Sequence, residues 1–398
     1  MRTGKVMNEL RQNNKNDQLF KAVWLLVLIY FMVHPTLHNA TITGLVWKVG
    51  IVLLAMITIS KVRFLEKRDC ALILILSASL LIGLVSAGML FDINKWFSVI
   101  AFLNLLLFID KSNMIKISKK ATVYLYWIAV ALTALFVIFI FGGIANKVTT
   151  DGRVWFCRYY VFNLDNSNIA GIYLYAFYCL ILINFRSRKK QRALNVILLA
   201  SLAFMIWKTE ARTCIVATIF TTTLSIFYGK KSIPKAIIWT CLIFPVVFIF
   251  AYLWLFNSGF RDIAIGDKNL FSGRQETFMT YLNFIRTPLQ VLFGNVGEVT
   301  FSNAHNGPLA IFCSTGLVGC ATFYYVFIKR IITANQYASS SINHVAVICI
   351  LGFVIQTSGE ASILLGGFPG APFLCSFFLL ALGDFESNEE PVMVGGRK

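Results

Sequence analysis

The sequence predicts an all-α, polytopic integral membrane protein with about 12 transmembrane helices and a large outer loop containing an amphipathic helix. Three observations carry that expectation. Apolar residues make up 58% of the 398, and mean hydropathy is +0.72, outside the range of soluble domains. They gather in runs near the roughly 20 residues a helix needs to cross a bilayer. Basic residues concentrate in alternate connecting segments, as the positive-inside rule requires.

The runs occur at residues 20–37, 41–60, 70–90, 94–110, 121–143, 168–185, 193–207, 213–228, 236–256, 307–328, 343–358 and 362–382. The first follows a polar, basic stretch and resembles a signal peptide. His38, however, precedes the possible cut after Ala40, and cleavage needs small residues, so an uncleaved anchor is expected. The seventh run is short, and the last is broken by GGFPGAP. Residues 1–398 are therefore expected to form a single transmembrane domain, with cytoplasmic tails at 1–19 and 383–398. The nine cysteines are spread singly and suggest neither a disulfide framework nor a metal-binding pattern.

With both termini cytoplasmic, 25 of the 36 Lys and Arg fall inside, in loops such as KVRFLEKR, KSNMIKISKK and RSRKKQR. Topology thus accounts for most of the net charge of +18, and no nucleic-acid partner is expected. Outside, Arg153, Arg158, Arg212, Arg261, Arg274 and Arg286 outnumber the lysines, the reverse of the inner side. A guanidinium forks onto phosphate where an ammonium cannot, so these arginines ask for an anionic partner.

Two outer loops are long, 144–167 and 257–306, and the second is the large extracytoplasmic loop. Long loops in compact structures usually carry function. Arg212 lies in the tight turn KTEART, where it either faces a buried anion or snorkels to the interface beside Glu210. In FSGRQETFMTYLNFIRTPL, Ser272 and Gln275 fit a capping box. Phe278, Leu282, Ile285 and Leu289 form an apolar stripe there, predicting one amphipathic helix with Arg274 at its start. An arginine opposes the dipole there, but it also completes a phosphate cradle; the alternative is a solvated polar face. His305, in FSNAHNGPL, stands just before a run and is expected close to the outer bilayer face. It is either a general base or an interfacial histidine hydrogen-bonded by Asn303 or Asn306.

Together these segments resemble the O-antigen polymerase and O-antigen ligase superfamily. The resemblance rests on Arg274, on Gly294 and Gly297 in FGNVG, on the pair His305 and Asn306, and on Gly316, Leu317 and Gly319 in STGLVG. Arg158, Asn168 and Ala170 match an earlier motif, and Arg212 an outer-turn Ser-Arg in which Ala211 replaces the serine. The match covers about residues 150–330.

The resemblance implies a polymerase of lipid-linked repeat units, of O-antigen or capsular type, in the bacterial cytoplasmic membrane. Its partners would be an undecaprenyl-pyrophosphate-linked oligosaccharide, an acceptor glycan, membrane lipid, and a chain-length regulator and flippase. An acceptor hydroxyl would attack the anomeric carbon with inversion. Arg212 and Arg274 would hold the pyrophosphate, Arg158 would be a third contact, Asn306 would assist, and His305 would be the base. No cofactor or metal is expected, since the outer carboxylates, Glu360 among them, are scattered with no DxD. The alternatives are ligase-type transfer to another acceptor and a lipid-linked glycan transporter or flippase, which would carry its ionisable groups near mid-membrane.

Overall fold

The computed structural model describes residues 67–86, 88–111, 119–141, 147–148, 154–155, 167–185, 189–209, 211–260, 264–265, 268–269, 274–296, 305–360 and 370–383. The first two apolar runs, the N-terminal tail, residues 384–398 and Arg158 lie outside them.

The architecture is all-α. The helices are α1 (Lys67–Ser86), α2 (Ile93–Lys111), α3 (Lys119–Phe141), α4 (Ser167–Phe185), α5 (Arg192–Lys208) and α6 (Arg212–Tyr228). There follow α7 (Lys235–Asn257), α8 (Arg274–Asn283), α9 (Pro288–Phe293), α10 (Gly307–Tyr337), α11 (Ser341–Gln356) and α12 (Gly370–Leu382). Ten of these coincide with the ten expected runs between 70 and 382, and α8 and α9 lie in the large loop. Each long loop also carries one two-residue antiparallel ladder, Lys147–Val148 with Val154–Trp155 and Ala264–Ile265 with Lys268–Asn269. By length and composition, α7 and α10 are suited to cross a membrane, and six further described helices are apolar over shorter lengths.

The bundle is built around α11. Every residue from Asn343 to Gln356 is buried, and α4, α6, α7, α10 and α12 pack about it. A helix apolar on all sides belongs in an interior. One close approach shows how tightly: a Cβ on Gly352 would collide with the hydroxyls of Tyr175 and Thr221, which hydrogen-bond each other at 2.7 Å. The outer helices behave differently. Ile197 on α5, Ile219 on α6 and Phe250 on α7 are 63%, 63% and 69% exposed, with Trp207, Phe227 and Trp254 exposed beside them.

Two departures from the expected elements shape the large loop. The single amphipathic helix predicted over 274–289 is two helices, interrupted after Asn283. Pro288 explains the break, because the residue before a proline is driven out of the α region. Thr287 accordingly lies at φ −123°, ψ 153°, and caps α9 in a reciprocal box with Gln290. The predicted stripe divides with it: Phe278 is fully buried, whereas Leu289 is exposed on α9. The box expected from Ser272 and Gln275 is not completed by Gln275, whose Oε1 is buried without a hydrogen-bond partner; Ser272 lies outside the described residues.

The second departure is in α10, which runs to Tyr337 instead of ending near residue 328 and is broken at Gly316 (φ 64°, ψ −169°). That conformation is open essentially to glycine alone. There α10 crosses the end of α9, and a Cβ on Gly316 would overlap the Leu292–Phe293 backbone. A Cβ on Gly294 (φ 77°) would likewise overlap Ser314 and Thr315. The Ser79 hydroxyl on α1 stitches the crossing, donating to the carbonyls of Thr315 (2.8 Å) and Phe293 (3.3 Å). At its far end α10 is anchored by a buried ion pair, Arg330 Nη2 lying 2.7 Å from Asp110 Oδ1 on α2.

Candidate functional site

The site forms where helix ends meet: the starts of α6, α8 and α10 and the turn that follows α11. Arg274 is the first residue of α8, and its Nη2 donates to Glu360 Oε1 at 3.1 Å. His305 Nδ1 stands 3.3 Å from the other oxygen, Glu360 Oε2. Glu360 is 4% exposed, whereas the His305 side chain is 35% exposed, so the carboxylate is sealed and the imidazole remains accessible. Burying a carboxylate is costly unless it is paired, and Glu360 has a different partner on each oxygen.

Glycine at 359 makes this packing possible. A Cβ there would come within 3.2 Å of Arg274 Nη1 and would overlap the Thr213 methyl. The first turn of α6, which Arg212 opens, therefore lies across the same turn of backbone as the Arg274 guanidinium. Arg212 and Arg274 are both within electrostatic range of the Tyr252 hydroxyl on α7. Ala211, at the N-cap of α6, supplies no side-chain cap and packs against Gly171 of α4. A helix N-terminus carries partial positive charge and unpaired amide donors. Arg274 and three helix starts thus gather about one buried carboxylate, with Arg212 opening one of those helices.

Asn306 builds the floor. It caps α10 by accepting from the Leu309 amide (3.0 Å), and its Nδ2 donates to the carbonyls of Pro245 (3.1 Å) and Ser358 (3.0 Å). It is fully buried, so in this state it offers no surface to a substrate, and Glu360 rather than Asn306 stands against the imidazole. His305 just ahead of it has φ 49°, a left-handed conformation that only glycine otherwise shows among the described residues. Backbone strain of that kind persists where surrounding contacts over-determine it, and functional sites are a common place.

The bond to Pro245 also sets the level of the site. Pro245 lies twelve residues before the end of α7, so the start of α10 meets the middle of α7 and not its end. Asn335, near the other end of α10, bonds to Ile233 just before α7 begins. Those α7 contacts are about 18 Å apart, whereas a straight helix from 306 to 335 would measure about 43 Å. The break at Gly316 therefore redirects α10 and brings its start, with His305 just ahead of it, against the middle of α7.

The structure thus brings Arg212, Arg274, His305 and Asn306 to one place, and Arg158 lies outside the described residues. The residue that sequence reasoning passed over is Glu360. Its one local signal is an ionisable group at the end of an apolar helix.

Fold and site define an all-helical protein with two helices of membrane-crossing length and a basic cluster holding a carboxylate and a histidine. No family model matches the chain, and neither a curated protein nor a solved structure matches it at a significant level.

Proposed function

We propose that the chain is a polytopic glycosyltransferase of the bacterial cytoplasmic membrane that polymerises lipid-linked saccharide units. The membrane half of the reading is supported by the large apolar side chains on the outward faces of α5, α6 and α7, around a fully buried central helix. Contiguous large apolar side chains on exposed faces mark surfaces that meet a partner or a membrane, and lipid would cover these.

The observation that carries the chemical half is the convergence of Arg274 and His305, 31 positions apart, on one buried carboxylate, with the α6 start bearing Arg212 alongside. In the proposed step an acceptor hydroxyl oxygen bonds to the donor's anomeric carbon. The bond from that carbon to the pyrophosphate oxygen breaks, the leaving group keeps the electron pair, and the hydroxyl proton passes to the imidazole. Arg212 and Arg274 stabilise the charge that grows on the pyrophosphate, which favours the transition state over the ground state. Undecaprenyl pyrophosphate is the proposed carrier and the non-reducing end of a second unit the acceptor; the step is metal-independent.

The test is extension of a purified lipid-linked repeat unit by the purified protein, with and without EDTA. A ladder of products that survives EDTA in the wild type and is lost in His305→Gln supports the reading. A single transferred unit instead of a ladder would favour ligase-type transfer. Full activity of His305→Gln would remove the base.

A further inference from the structure

The sequence motifs leave Glu360 without a role, yet it is the group on which the cluster closes. Its two oxygens face different partners, Oε1 receiving Arg274 at 3.1 Å and Oε2 facing His305 Nδ1 at 3.3 Å. An ionised carboxylate only accepts hydrogen bonds, and a neutral imidazole has one N–H to give. Between an ionised carboxylate and a neutral ring, this contact requires the N–H to be on Nδ1, which leaves the lone pair on Nε2. His305 is one of four histidines in the chain, and its backbone is held left-handed, so the ring is presented by the fold from a fixed position.

The other oxygen has a separate consequence. Arg274 is the group best placed to fork onto a phosphate, but at rest its charge is matched by Glu360. A phosphate reaching Arg274 competes with a carboxylate already in place. As the guanidinium turns to the phosphate, Glu360 is left to His305 alone.

We propose that Glu360 is a two-sided positioning residue, fixing His305 as the Nδ1–H tautomer with Nε2 free to take a proton while serving as the counter-ion that a donor phosphate must displace from Arg274. The tautomer arm stands on geometry alone; the donor arm rests on the function proposed above.

Three variants separate the arms. In protein carrying 15N-labelled histidine, purified into nanodiscs, the His305 ring resonances are those lost in His305→Gln. Under alkaline conditions that leave the ring neutral, the wild type should carry its proton on Nδ1, and Glu360→Ala should move it to Nε2, the form a free imidazole side chain favours. A wild-type proton on Nε2, or a tautomer unchanged in Glu360→Ala, overturns the tautomer arm. Should Glu360→Ala not fold, the wild-type tautomer still decides.

The nearly isosteric Glu360→Gln tests the counter-ion. Arg274 and His305 face the two different oxygens of Glu360, so in the amide one of them meets an NH2 in place of an acceptor, and the neutral group leaves Arg274 uncompensated. Inorganic pyrophosphate should bind this variant at least about threefold tighter by calorimetry. In the extension assay KM for the donor should fall while kcat drops by about 10²–10⁴, the range of a general-base contribution. A merely structural Glu360 would move both parameters toward loss, and equal or weaker pyrophosphate binding overturns the counter-ion role. If no form of the protein binds pyrophosphate, the counter-ion role and the proposed function both fall, while the tautomer experiment judges the His305 arm separately.

Discussion

Gly294 and Gly316 cross backbone to backbone: each lies where a Cβ would overlap the main chain flanking the other, and both have positive φ. The crossing ties the last turn of α9 to the break in α10, and the break aims the short first section of α10 at the site. Gly316→Ala should therefore combine a forbidden conformation with a collision, costing roughly 2 kcal/mol or more. Gly88, with φ 67° and nothing within 4 Å of a Cβ, makes the control. Gly88→Ala should cost about 1 kcal/mol from conformation alone. Thermal unfolding in detergent should rank the two in that order, and equal midpoints would contradict the crossing.

Arg274→Lys should be nearly as damaging to transfer as Arg274→Ala. A lysine keeps the charge and the pairing with Glu360 but loses the planar fork that grips a phosphate through two bonds. The comparison is initial extension rate at saturating acceptor. Wild-type rates in the lysine variant would show that Arg274 acts only as a point charge.

Asn306→Asp should be no better than Asn306→Ala, although aspartate is as good a helix cap as asparagine in solvent. Asp keeps the acceptor for the Leu309 amide but loses the two donations to Pro245 and Ser358, and it turns a carboxylate oxygen toward their carbonyls. Each variant should lose about 2–3 kcal/mol of stability, the cost of leaving buried polar groups unpaired. A fully stable Asp variant would show that capping alone matters.

At the far end of α10, replacing either partner of the buried Arg330–Asp110 pair should be far worse than replacing both. Arg330→Met alone takes the guanidinium from a buried carboxylate and should cost up to about 3–5 kcal/mol, and adding Asp110→Leu should recover much of that loss. A double-mutant cycle on unfolding midpoints reads the coupling directly. Additive losses would mean the two charges do not depend on each other.

Topology is checked by cysteine accessibility in intact cells. Single cysteines within 186–192 should be protected from a membrane-impermeant reagent, and those within 257–306 labelled from outside. Labelling of the 257–306 loop only after permeabilisation would put the site on the wrong face for an exported donor.

Ten helices were legible because an apolar run long enough to form a buried helix is a property of neighbouring residues, and neighbouring residues are what a sequence displays. The loop was half legible. Pro288 carries a local signal that divides α8 from α9, but the strong stripe through Phe278 and Leu282 hid it. The break in α10 was not legible, since Gly316 lies in a run that reads as one helix and its reason is a chain segment more than twenty positions away. Glu360 escaped for a related cause. It is 55 positions from His305 and 86 from Arg274, and a carboxylate's role depends on which charges stand beside it in space. Arg274 and His305 could be picked out because each is chemically conspicuous in its own stretch.

The bond between Asn306 and Pro245 has a further consequence for whatever reacts here. Twelve residues of α7 continue beyond that bond, about 18 Å of helix, so the capped start of α10 is seated against the middle of α7 and not at its end. Under the proposed function, with α7 crossing a bilayer, a carrier headgroup would have to reach the level of Pro245, midway along α7, to meet the start of α10.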